Sequence, residues 1–385
     1  MNSRSASPVP RLRRLGVLAA STVLALLLAE VGFRLHAAVR GLPAEFTYSG
    51  TDRENLEAWL LGGLPGDGEG NLTRANAHHP VLGWVPRSNL RRMKVGQVLS
   101  PFSTNSIGLR GRAEFSREKP PGVRRVALIG DSFTFGLDKP DPKIWGRLLA
   151  DELAPHEVLN FGVAGYGTDQ ACLSLTERAL AYHPDVVVWG VFVLDPVRSS
   201  MHFTYFAKSW FALRDGELHL RGVPVPKPDV LMAAREETRP ASYALCYARH
   251  CLDALAARDD DPIATPDRYL LELDRAILDR GRRLVREAGA KLLIVLIPKS
   301  DWPSVEASPV ELDVREWAAR ARCPLIDLRE VFAKRLTRDP GELDVVHYVP
   351  EHHFSAEGHR VVAEAVERRI LALDWLPAED ADAEQ

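Results

Sequence analysis

The sequence predicts an α/β protein in which a five-stranded parallel sheet lies between two layers of helices. Two observations carry this. Five short apolar runs, "VRRVALIG" (123–130), "EVLNFGV" (157–163), "DVVVWGVFVL" (185–194), "KLLIVLIP" (291–298) and "PLIDL" (324–328), read as strands buried on both faces. Amphipathic helical patterns at 144–153, 168–182, 266–288, 310–321 and 355–373 alternate with them, as a parallel sheet covered on both sides requires.

The N-terminus reads differently. Arg11, Arg13 and Arg14 precede an uncharged run from Leu15 to Ala29, Glu30 interrupts it, and Val31-Gly32-Phe33 follow. As a helix, residues 15–33 span about 28 Å, close to the ~30 Å hydrocarbon core of a bilayer. The basic flank keeps the N-terminus inside and sends the body outside. A cleaved signal peptide competes, with "HAA" at 36–38 as the small residues, but Glu30 and Arg34 suit a cleavage site badly. The expectation is an uncleaved signal anchor over 1–40, with the body of the protein on the extracytoplasmic side.

Residues 41–122 read as a Gly-rich linker and an extended lead-in, "PVLGWVPRSNL…FSTNSIGLRG". The main domain runs from 123 to 373 in a doubly wound, flavodoxin-like, three-layer α/β/α layout, whose functional groups gather at the strand carboxyl ends. It carries an insertion over 196–265, too long for an ordinary α/β connection. Within that insertion "FALRDGELHLRGVPVP" alternates like a hairpin turning at Asp215-Gly216. The acidic tail, 374–385, reads as disordered.

A net charge of −3 over 385 residues argues against nucleic acid as the partner, since phosphate binding needs a basic face. Cys172, Cys246, Cys251 and Cys323 form no metal-binding spacing and read as thiols. Cys246 and Cys251 could pair only if their segment is not a regular helix.

Three segments carry the chemistry. In "ALIGDSFTFG" a buried strand ends at Gly130, and Ser132 is presented at its carboxyl end, at the start of a turn whose free N–H groups favour a developing oxyanion. Alone, the same Asp-Ser pair could simply cap a helix. In "LNFGVAGYGTDQ" Gly165 can offer its N–H with no side chain in the way, or merely form a βα turn. In "YVPEHHFSAEGH" His353 precedes a helix capped by Ser355. It reads as a general base, or, with His347, His352 and His359, as part of a metal cluster that nothing elsewhere completes; no metal is expected.

Together the three resemble the SGNH (GDSL-type) hydrolase superfamily, of the membrane-anchored bacterial kind, over about 124–200 and 291–373. The resemblance implies Ser132 as nucleophile, His353 as base, and the Ser132 and Gly165 N–H groups as an oxyanion hole. Two positions depart from the pattern. Leu194 stands where the family carries an oxyanion-donating Asn, followed by Asp195. Glu351 stands two before the His, where the family carries an Asp, and is the expected acid of the triad.

The implied activity is that of an exported serine esterase acting on an ester, including O-acetyl groups of glycans, with no cofactor. An O-acyltransferase with the same triad, and a non-catalytic binding module that has lost the Asn, are the alternatives. The partners expected are the ester or acylated glycan and the membrane, with no nucleic acid.

Overall fold

The computed structural model describes residues 11–40, 75–94, 100–204, 206–227, 230, 242–256, 266–336 and 353–376. Helix α1 (Arg11–Arg40) contains a stretch, Arg13–His36, that is long and apolar enough to cross a membrane, and none of it is buried. Strands β1 (Asn76–His79) and β2 (Gly83–Pro86) pair antiparallel.

The main domain opens with β3 (Arg125–Ile129), the single turn α2 (Ser132–Phe135) and α3 (Trp145–Glu152). Next come β4 (Glu157–Asn160) and α4 (Thr168–Ser174), then β5 (Val186–Phe192) and α5 (Asp195–Ser199). The hairpin β6 (Trp210–Arg214) and β7 (Glu217–Arg221) follows, with α6 (Tyr243–Ala256) and α7 (Arg268–Glu287). The chain then forms β8 (Lys291–Ile297), α8 (Pro309–Ala321), β9 (Leu325–Asp327), α9 (Leu328–Leu336) and α10 (Ala356–Ala372).

The five central strands run parallel in the order β4-β3-β5-β8-β9. Counted from β3 this is 2-1-3-4-5, the flavodoxin-like order expected from the sequence. The strands are apolar away from their ends because both faces are covered: α3 and α10 pack together on one side, while α4 and α7 pack together on the other. Val126, Leu128, Val188, Trp189, Leu293 and Ile294 are buried completely. Each such side chain contributes roughly 1.5–3 kcal/mol of hydrophobic stabilisation.

The chain leaves β3 towards β4 and crosses back to β5 on the other side of β3. The crevice at the carboxyl ends of β3 and β5 is therefore the topological switch point, where sheets of this kind bind ligands.

Two local features qualify the sequence reading. The helix expected over 168–182 is regular only to Ser174; beyond it Leu180 N–H bonds to Leu175 O, five residues back, and a tight last turn ends at His183 in the left-handed region, just before Pro184. The hairpin turns where expected, with Asp215 at φ 51° and Gly216 at φ 77°, the two left-handed residues of a type I′ turn.

The lead-in is tied to the domain. Tyr166 Oη donates to Trp84 O (2.5 Å), Trp84 Nε1 to Ala164 O (3.2 Å), and Gln170 Nε2 to Leu82 O (2.7 Å). The backbone between Cys246 and Cys251 is regular helix, and Cys172, Cys251 and Cys323 are free thiols.

Candidate active site

Gly130 ends β3 at φ 146°, and a Cβ there would come within 2.6 Å of Gly190 O and run into the Thr134 hydroxyl. Only glycine lets the chain turn this tightly into α2. Asp131 caps the turn, its Oδ1 accepting the Phe133 N–H at 2.9 Å. Ser132 is the first residue of the turn, which closes when Gly136 N–H donates to Ser132 O.

The structure brings Ser132 and His353 together across 221 positions of sequence: Nε2 lies 2.9 Å from Oγ. A longer contact, 3.4 Å, joins Oγ to Asp131 Oδ2. The imidazole is seated against Phe133, with ring centroids 5.0 Å apart, and Phe133 in turn packs on Phe192 and Phe354. These apolar contacts hold the ring facing the hydroxyl.

The other ring nitrogen meets a residue the sequence reading did not single out. Asp138 Oδ2 lies 2.6 Å from His353 Nδ1, although not in line with a hydrogen bond. Glu351, the residue expected in this place, lies outside the described residues, as do His347 and His352. Asp138 is buried and takes φ 69°. Asp tolerates that left-handed conformation better than most residues.

Arg110, from the lead-in, holds the Asp138 loop. Its Nη2 donates to Lys139 O at 2.6 Å and pairs with Asp141 at 3.3 Å, while the guanidinium stacks over Phe135. Burial pushes the Arg110 pKa down to about 10, against the opposing pull of Asp141. A guanidinium with that pKa is still charged at neutral pH.

Gly165 sits in the turn after β4 at φ 83°. Val163 N–H donates to Gly130 O (3.0 Å), which sets this turn directly beside the Ser132 strand end. Asn160 locks the two together: its Nδ2 donates to Thr134 O (2.8 Å) and its Oδ1 accepts from Gly162 N–H (2.9 Å).

Leu194 follows β5 and takes the N-cap position of α5, half-buried, with no side-chain cap bond. Asp195, next in sequence, is bound elsewhere. Its Oδ2 accepts from Phe192 N–H at 3.0 Å and its Oδ1 from Arg198 at 2.8 Å.

Arg198 is the second residue that the sequence reading missed. Its Nη1 reaches Asp131 Oδ2 (2.9 Å), Asp195 Oδ1 (2.8 Å) and Tyr166 O (3.2 Å). One buried guanidinium nitrogen thereby joins the loops that carry Ser132, Gly165 and Leu194. Burial, then the proximity of Asp131, pushes the Asp195 pKa well up, against the pull of Arg198. Deeper still, Lys208 Nζ pairs with Asp169 at 2.5 Å and donates to the carbonyls of Arg198 and Met201. Arg198, Ser199, Lys208 and Ser209 therefore supply buried structure behind the site, where the sequence suggested only the start of an insertion.

His359 is buried in the packing of the domain. Its Nδ1 accepts the Trp145 N–H at 3.2 Å, so that nitrogen is unprotonated, and burial drives its pKa well below the usual histidine value. Among the described residues no cluster of His, Cys, Asp and Glu is arranged to hold a metal.

Several solved structures are similar to the chain. They include an acetylxylan esterase from Geobacillus stearothermophilus, at 14% identity over 68% of this chain and 100% of that one, with a TM-score of 0.40. A lipase/acylhydrolase from Enterococcus faecalis matches at 17% identity, over 65% and 97%, with a TM-score of 0.37. A member of the lipolytic G-D-S-L family from Veillonella parvula matches at 15%, over 64% and 97%, with a TM-score of 0.36. No family model matches the sequence, and no curated protein sequence does.

Proposed function

We propose that the protein is a serine esterase of the SGNH (GDSL-type) kind, with Ser132 as nucleophile, His353 as general base and Asp138 as the carboxylate that orients it. The observation that carries this is the pair of close contacts from Ser132 Oγ to His353 Nε2 (2.9 Å) and from His353 Nδ1 to Asp138 (2.6 Å). A nucleophile in hydrogen-bond reach of a base, itself held by a third group, is the arrangement that activates a hydroxyl.

His353 Nε2 takes the Ser132 proton as Oγ attacks the ester carbonyl carbon. The oxyanion that forms is held by the N–H groups of Ser132 and Gly165. The imidazolium then gives its proton to the departing alcohol, leaving an acyl-serine. Water, activated by the same His353, releases the acid and restores the hydroxyl. Asp138 stabilises the imidazolium, and its off-line contact in the free protein is of the kind that tightens when substrate binds. The chemistry needs neither metal nor organic cofactor.

Helix α1 anchors the protein by its apolar Arg13–His36 stretch, and Arg13 and Arg14 hold the N-terminus inside. The catalytic body then acts outside, on ester groups there, including O-acetyl groups of glycans.

A fluorophosphonate tests the central claim. The wild-type chain should gain one covalent phosphonyl adduct, mapped to Ser132 by mass spectrometry, and the folded Ser132→Ala protein should gain none. A folded wild-type protein that neither labels at Ser132 nor hydrolyses an activated acetyl ester overturns the esterase reading.

The missing amide donor gives a second expectation. Two backbone donors alone make a weak oxyanion hole, so turnover should be slow. Asn at 194 can place its amide nitrogen at the end of β5, while its carbonyl remains free to cap α5. Leu194→Asn should raise kcat by about ten- to a thousandfold with little change in KM, because the added bond forms mainly in the transition state. An unchanged rate in a protein of unchanged Tm would place the third donor elsewhere.

A further inference from the structure

An acidic residue in a membrane-crossing stretch is costly unless it is paired. Glu30 is such a residue, and the structure shows what pairs with it. Its carboxylate accepts from Arg34 Nε (2.6 Å), from the Ser242 hydroxyl (2.8 Å), and from the Tyr243 and Ala244 N–H groups (3.1 and 2.9 Å). The last three belong to the start of α6, far away in the insertion.

A carboxylate there satisfies the orphan N–H groups of the first turn and complements the positive end of the helix dipole. Neighbouring side chains extend the contact. Phe33 stacks on Tyr247 with centroids 4.5 Å apart, His36 meets the same ring edge-on, and the Arg34 guanidinium lies over Tyr243. Tyr243 lies by residues 30–34 and Tyr247 by 33–36, so α6 runs beside α1 in the same direction.

Helix geometry sets the depth. From Arg14 to Glu30 is about 24 Å along a helix, within a hydrocarbon core about 30 Å thick. The first turn of α6 therefore begins just inside the outer boundary of that core and climbs towards the headgroups. The α6 face turned away from α1 carries Leu245 (73% exposed), Ala248 and Leu252 (64% exposed). These positions, spaced by three and four, form one exposed apolar stripe beside the membrane-crossing stretch of α1.

We infer that Glu30 is the docking point through which the anchor captures the insertion, and that the occupant of the Leu245–Leu252 stripe is the outer leaflet of the lipid bilayer. The inference rests on the anchored reading of α1. Because α6 is part of the insertion between β5 and α7, its capture ties the catalytic body to the membrane at a second point besides the linker. It also requires α1 to be retained, since cleavage after residue 38 would remove Glu30, Phe33, Arg34 and His36 from α6.

The test uses the full-length chain in phosphatidylcholine–phosphatidylglycerol vesicles. A fluorophore is attached at Leu245→Cys after Cys246→Ser and Cys251→Ser, with Cys172 and Cys323 buried and unreactive. Lipids carrying a spin label high on the acyl chain should quench the dye, and aqueous iodide should not. Glu30→Leu should lose most of that quenching while still floating with the vesicles and hydrolysing a soluble ester at the parent rate. Equal lipid quenching in both proteins would overturn the docking role of Glu30. Quenching by iodide alone would overturn the membrane contact. A dye shielded from both quenchers would place a second copy of the chain on the stripe and also overturn it. Failure to float, or a mature N-terminus beyond residue 38, would overturn the anchored reading itself, and this inference with it.

Discussion

Replacing Asp138 by Asn is expected to lower kcat by about 10⁴-fold, the loss typical when the acid of a Ser-His-acid triad becomes an amide. The reason is tautomeric. Asp138 beside Nδ1 can only accept there, so it keeps the ring proton on that nitrogen and leaves Nε2, at 2.9 Å from Ser132 Oγ, free to accept. An amide N–H at the same place would favour the other tautomer, with Nε2 already protonated and unable to take the serine proton. Asn is also the substitution the backbone best tolerates, since at φ 69° it is among the few residues at home in the left-handed region. Tm should therefore move by no more than a few degrees, and a lost rate could not be attributed to unfolding. The control is Glu351→Gln, expected to change kcat less than tenfold, well below the loss for a triad acid. A large loss in Glu351→Gln with little in Asp138→Asn would give the orienting role to Glu351 and leave Asp138 a structural neighbour. Fluorophosphonate labelling rates on both variants read the same step without a chosen substrate.

The frame of this site was legible because its signals are local. The runs at 123–130 and 185–194 are apolar without alternation, and only a strand buried on both faces needs that. Asp215-Gly216 announced its turn because few other pairs take two left-handed conformations. Ser132 and Gly165 stand beside glycines at strand ends, and His353 stands just before a capped helix, so position and chemistry coincided.

Asp138 had no such mark. It lies in "FGLDKPD", a loop without period, and it reaches His353 only because Gly136 turns the chain and Arg110, from a segment read as lead-in, holds Lys139 O and Asp141. Arg198 was hidden for another reason. The sequence signal existed, since "LDPVR" places Asp195 and Arg198 three apart at a helix start, a spacing that lets them meet. A long connection beginning there suggested a surface insertion, and a surface arginine invites no inference. Only the burial of Val197, Arg198, Ser199 and Lys208 shows that these residues belong to the interior of the domain.

Arg198→Met should cost about 3–5 kcal/mol of stability, the range for removing one partner of a buried ion pair. The size follows from what is left behind: Asp131 and Asp195, both fully buried, would face each other with no cation between them. Activity should fall as well, because Asp131 caps the turn that presents Ser132, and Tyr166 O loses the same donor beside Gly165. Arg198→Lys should recover part of both losses by returning a charge, though not the fixed fork that spans three loops.

The pH dependence separates this account from simple loss of packing. Burial and Asp131 already raise the Asp195 pKa well above 3.8, and removing the cation raises it further. A carboxyl whose folded pKa is raised holds more protons folded than unfolded from about pH 4 upward, so its contribution to stability falls as pH rises through that window. The deficit of Arg198→Met relative to wild type should thus be larger at pH 8 than at pH 5. It should shrink in the double variant Arg198→Met/Asp195→Asn, where only one buried carboxylate remains. Denaturant melts at the two pH values measure both effects. A deficit that is the same at pH 5 and pH 8, and is unrelieved by Asp195→Asn, would mean that Arg198 acts through its bulk, and its place as the electrostatic link between the three loops would be lost.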